Sequence, residues 1–164
     1  MTIPLASQQH DHSRCIDSAL ATAQQLCAES GVRLTQLREQ VLKIVWQSHQ
    51  PLGAYAVMDV LSQESTRRVA PPTVYRALDF LLEQGLVHRV NLLNAYIGCS
   101  HPDEPHQHNF LICKQCDIAV EFDAPKMDKA ICDSAREQGF EISSQSVEVL
   151  GLCSNCAGTD SGQA

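Results

Sequence analysis

Two Cys-x-x-Cys pairs, Cys113/Cys116 and Cys153/Cys156, separated by 36 residues, place the tightest constraint on how this 164-residue chain can fold. Four thiolates in two such knuckles offer a tetrahedral site for Zn2+, and an ion held there joins two stretches of backbone far apart in sequence. Two disulfides or a redox motif are the competing readings of the same residues. The spacing favours structural zinc, because pairs at this separation belong to zinc ribbons and paired knuckles. Four sulfurs also close the site, and no His-Glu-x-x-His motif appears in the chain, so an enzyme is not expected.

A hydrophobic content of 44% marks a globular chain, long enough for one ordinary domain or two small ones. No apolar run approaches the length of a membrane span, and no charged-then-apolar leader opens the chain. A cytoplasmic protein with no membrane partner is expected, and in that reducing compartment eight cysteines read as metal ligands and buried apolar residues. The net charge of −7 at first argues against nucleic acid. Its distribution reverses the argument. Residues 1–90 hold eight Lys/Arg against eight Asp/Glu, whereas residues 91–164 hold four against eleven. A neutral head on an acidic body leaves the head able to approach a polyanion.

Hydrophobic periodicity assigns four helices and a hairpin to that head. Ile16, Ala19, Leu20, Ala23 and Leu26 form one apolar stripe, ending at Gly31. Leu37, Val41, Leu42, Val45 and Trp46 form a second, with Thr35 as N-cap and Pro51 beyond its end. Ala54, Val57, Met58 and Leu61 make a third. Pro71-Pro72 opens the fourth, since proline suits a first helical turn, and Gly85 stops it. Two β-prone runs, Leu86 to Val90 and Ala95 to Cys99, then flank a four-residue turn. Helices followed by a hairpin give the order of a winged helix-turn-helix. Its fourth helix buries Val74, Ala77, Leu78 and Leu81 and turns Thr73, Tyr75 and Arg76 outward, where they can meet the edges and phosphates of duplex DNA.

The remainder reads as a small α/β domain: strands at Asn109 to Cys113 and Ile118 to Phe122, a helix from Pro125, and a strand from Ser146 to Leu152. It is too thin to stand alone and is expected to pair with itself as a homodimer. The expected fold class is α+β, with flexible tails at 1–13 and 158–164. Between them lie a winged-helix DNA-binding domain at 14–99, a hinge linker at 100–108 and a zinc-stapled dimerisation domain at 109–157.

The run Pro71-Pro72-Thr73-Val74-Tyr75-Arg76-Ala77-Leu78-Asp79-Phe80-Leu81, with Gly85-Leu86-Val87, resembles the recognition-helix signature of the ferric uptake regulator family. Arg33-Leu34-Thr35 with Arg38 is similar to that family's entry to the second helix, and the likeness extends over residues 15–157 with both knuckles in order. The resemblance implies a dimeric, metal-responsive transcriptional repressor that binds double-stranded operator DNA and takes no small-molecule substrate.

A second set of donors surrounds the linker: His88, Cys99, His106, His108 and Glu121. A sulfur beside imidazoles and a carboxylate suits tetrahedral Zn2+, whereas Fe2+ or Mn2+ sensing favours more N/O ligands. Positions matching His88, Cys99, His106 and Glu121 form the sensory site in the zinc-uptake branch that the chain resembles, with His108 as the alternative to His106. Two Zn2+ per chain are therefore expected, one structural and one regulatory. An iron- or peroxide-responsive member of the family, and a zinc-stapled protein-interaction module without DNA binding, are the alternatives.

Overall fold

The structure, a computed structural model, describes residues 12–48, 50–64, 69–103 and 107–157. His106 and nearly all of the expected tails, 1–13 and 158–164, lie outside the described residues. The chain forms two compact units, Met1–Glu104 and Pro105–Ala164.

The first unit is a winged helix. Helices α1 (His12–Glu29), α2 (Gln36–Val45), α3 (Ala54–Glu64) and α4 (Pro71–Glu83) precede the hairpin β1 (Val87–Val90) and β2 (Ala95–Gly98). Helix α1 begins four residues before its apolar stripe, because its first turn is polar and carries no periodic signal. Thr35 caps α2, its side chain accepting a hydrogen bond from the Arg38 amide at 3.4 Å. The stripes of α2, α3 and α4 meet in one core that includes Val41, Leu42, Val45, Val57, Leu61, Val74, Leu78 and Leu81, all at most 1% exposed. The Arg38 guanidinium lies 3.5 Å from the centroid of the Phe80 ring, a cation–π contact that ties the start of α2 to α4.

Helix α4 ends as its sequence demands. Gly85 takes a positive φ of 67°, which lets its amide reach Leu82 O and the Leu86 amide reach Leu81 O. That paired closure satisfies two terminal carbonyls and turns the chain straight into β1. The two wing strands pair antiparallel with His88 opposite Ile97, and a bridge between Leu52 and Tyr96 adds one residue of a third strand.

In the second unit β3 (His108–Cys113) is central, with β4 (Ala119–Glu121) antiparallel on one side and β5 (Ser146–Gly151) parallel on the other. Helix α5 (Pro125–Glu137) connects β4 to β5. Asp128 on α5 accepts hydrogen bonds from Asn109 at 3.2 Å and Gln145 at 2.8 Å, which fixes the helix to β3 and to the approach to β5. A one-turn helix α6 (Ser154–Ala157) carries the last cysteine. The parallel pairing of β3 with β5 brings Cys113 opposite Gly151, and so delivers the second knuckle to the first.

Candidate metal centres and nucleic-acid interface

The sulfurs of Cys113, Cys116, Cys153 and Cys156 all lie within 4.8 Å of one another, and all four residues are free thiols. Cys116 Sγ and Cys153 Sγ are 3.8 Å apart, far beyond a disulfide bond. A tetrahedral ion with Zn–S bonds of about 2.3 Å spaces its sulfurs by roughly 3.8 Å, so the cluster has the dimensions of a zinc site. Backbone geometry prepares it. The amides of Cys153, Cys116 and Gln115 hydrogen-bond to the Cys113 sulfur and bring its thiol down to about 6, with the Cys153 amide 3.4 Å away. Cys156 moves the other way, up to about 12, through side-chain hydrogen bonding to Cys153 and then burial. One thiol ionises readily while another resists ionisation in the same space, a conflict that a divalent cation relieves.

The linker donors fall in both units. His88 on β1 is 4% exposed and Cys99, just beyond β2, is 2% exposed. Val87 joins the helical core, whereas His88, one residue along the strand, takes the opposite face. The Cys99 amide donates to Leu86 O at 3.0 Å, continuing the wing ladder past the end of β2. This register brings a His88 ring nitrogen and Cys99 Sγ within 4.8 Å of each other. In the second unit Glu121 ends β4 opposite Phe110, and His108 begins β3; both are half-buried. Cys99 also lines a cavity of about 370 Å3 in the first unit, together with Cys15, Trp46 and residues of α1 and the chain after β2.

On α4, Thr73, Tyr75 and Arg76 are all exposed, while Val74 and Ala77 between and after them are buried. Two prolines at the first helical positions leave the N-terminal turn free of acidic side chains, so nothing there repels phosphate. Sequence reading missed Tyr55, which stands 70% exposed at the start of α3. The signal was available: an aromatic residue lies off the apolar stripe of Ala54, Val57 and Leu61.

With this geometry belongs a match to the ferric uptake regulator family across residues 29–150. The chain belongs to that family. The matched span contains α4, His88, Cys99, Glu121 and the first knuckle, while Cys153 and Cys156 fall beyond it. The chain is 39% identical over 138 residues to the zinc uptake regulation protein of Escherichia coli (strain K12), covering 84% of this chain and 80% of that protein. Among solved structures it resembles a zinc uptake regulator complexed with zinc and DNA, with a TM-score of 0.85, 36% identity, and coverage of 90% of this chain and 98% of that one. It also resembles holo XcZur, with a TM-score of 0.78, 38% identity, and coverage of 87% and 99%.

Proposed function

We propose that this protein is a zinc-responsive transcriptional repressor that occupies operator DNA when zinc is sufficient and controls genes of zinc uptake. The observation that carries the reading is the buried imidazole and thiol of His88 and Cys99, brought together on the wing that follows α4. The relatives bound to zinc and DNA or named for zinc uptake support it. Nitrogen and sulfur donors in a buried setting select zinc over the harder Fe2+ and Mn2+.

His88, Cys99, His106 and Glu121 are the proposed regulatory ligands, with His108 the alternative to His106. Cys113, Cys116, Cys153 and Cys156 hold the structural ion, giving two zinc ions per chain. When bound, the regulatory ion supplies a centre that neutralises thiolate and carboxylate together. The protein's own residues do the rest. Donors drawn from both sides of the linker at 100–108 favour one orientation of the winged helix, and only such differential binding lets zinc alter DNA affinity. Thr73, Tyr75 and Arg76 enter the major groove, and Tyr55 contacts the neighbouring backbone.

The apolar surface of the second unit supports a homodimer. Leu111 and Val149 pair across β3 and β5 on one face of the sheet and are 48% and 43% exposed. Covering these with a second copy gives a two-fold assembly whose paired α4 helices read an inverted repeat. The dimer works in the cytoplasm on duplex DNA, with no small-molecule substrate, no catalysis and no membrane partner. Among the described residues no helix is long and apolar enough to cross a membrane.

The test is titration of operator binding with Zn2+, with Fe2+ and Mn2+ as matched controls. Zinc is expected to drive binding at concentrations where the other two do not. Equal or stronger binding with iron or manganese refutes the zinc assignment, and no DNA complex at any zinc level refutes the repressor.

A further inference from the structure

Trp46 is the single tryptophan of the chain, and it ends α2 with its amide bonded to Leu42 O at 3.1 Å. Its indole lies flat against the backbone of β2 at Gly98, the residue before Cys99. A Cβ placed on Gly98 would fall 2.3 Å from Trp46 Cε2, 2.4 Å from Nε1 and 2.7 Å from Cδ2, distances that no side-chain carbon tolerates. Gly98 is not among the glycines with positive φ, so space rather than backbone conformation is what requires glycine there. Trp46 also lines the cavity of about 370 Å3 that Cys99 lines. Two separate features, the missing Cβ and the shared cavity lining, thus set one ring against the strand that carries the regulatory thiol.

We propose that Trp46 is a positioning residue for the regulatory zinc site, with Gly98 as the seat that admits it; the proposal rests on the reading of His88 and Cys99 as zinc ligands. The chain reaches Cys99 between two restraints. On one side the Cys99 amide is bonded to Leu86 O, and on the other the indole presses on Gly98. Together they hold the end of β2 so that the thiol faces His88 across the hairpin. Groups outside the ligand set that orient or desolvate a ligand are typically worth about 10–100-fold in metal affinity. The link runs to α2 as well, because the ring that touches the sensory strand belongs to the residue that closes that helix. Emission from this lone tryptophan should therefore report metal arriving at Cys99.

The test uses the full-length protein with zinc in the four-cysteine site. Metal affinity of the second site is measured by competition with a chromophoric chelator, and Co2+ added to that site reports its thiolate-to-metal charge-transfer band. Trp46→Leu and Gly98→Ala are each expected to weaken the second site about 10-fold or more and to alter the Co2+ band, with Trp46→Phe retaining most of the affinity. Because both changes remove one contact, Gly98→Ala should cost little further in a Trp46→Leu background. Cys99→Ser serves as the control for the site itself. If Cys99→Ser weakens the site but Trp46→Leu and Gly98→Ala leave affinity and spectrum unchanged, the positioning role is overturned. Strictly additive losses, or losses that only follow a fall in melting temperature, overturn it too. If Cys99→Ser also binds the second metal normally, the ligand assignment fails and this proposal with it.

Discussion

Removal of the ion from the four-cysteine cluster should unfold the second unit while the first remains folded. Among the described residues, the large apolar side chains buried in the second unit are Phe110 and Ile112, at 0% and 2% exposure. Complete burial of such side chains is worth about 1.5–3 kcal/mol each, or roughly 3–6 kcal/mol together. A structural zinc ion contributes on the order of 10 kcal/mol, comparable to the entire stability of an ordinary domain. The sulfur cluster also closes the loop that pairs β3 with β5, and three backbone amides donate to Cys113 Sγ within it. The first unit has its own core from α1 to β2 and none of these ligands. Cys153→Ser, or exhaustive chelation checked by elemental analysis, provides the perturbation. Peptide-resolved hydrogen exchange provides the assay. Amides of β3 and β5 should exchange as in an unfolded chain while those of α2 and α4 stay protected. Full protection of β3 in zinc-free protein would refute the reasoning, because the apolar core would then suffice without the metal.

Three further outcomes follow from single residues. Arg76→Ala should weaken operator binding about 10-fold or more in a gel-shift titration, with zinc content and oligomeric state unchanged. Gly85→Ala should destabilise the first unit by about 1 kcal/mol in urea titration, since the nearest atom to an added Cβ is Pro102 O at 4.0 Å and the cost is confined to the φ of 67°; Gly85→Asn should cost less. Burial pushes the Cys27 thiol above its ordinary 9.0, with Arg38 opposing, so the folded state holds that proton more tightly than the unfolded state. Its contribution is complete below about pH 9 and fades as pH rises beyond it, and Cys27→Ala should remove that part of the alkaline loss seen in thermal melts.

Much of this architecture could be read from local chemistry. Pro71-Pro72 and Gly85 bracket α4 because proline and glycine act through their own backbone, and Thr35 caps α2 for a similarly local reason. The cysteine knuckles were legible because ligand spacing is a chain-local constraint. What stayed hidden depends on pairing at long range. Nothing in the alternation of β3 or β5 states that they run parallel, since that is fixed by how α5 carries the chain back. The seat of Trp46 on Gly98 joins residues 52 positions apart, and glycine in a strand announces close approach without naming the visitor. Helix α6 is a single turn wrapped on the second knuckle, too short for any periodic signal. The donors around the linker were visible as residue types, but only the register of the wing sets His88 beside Cys99.

The central claim is that zinc sensing resides at His88 and Cys99 and not in the four-cysteine staple. The most direct measurement is operator binding across a zinc titration for the wild-type protein and Cys99→Ser, each with its four-cysteine site filled. The account predicts that the wild-type protein gains affinity on the order of 100-fold as the second site fills, equivalent to about 3 kcal/mol of coupling, and that Cys99→Ser stays at the low-affinity level. An unchanged zinc response in Cys99→Ser would contradict it.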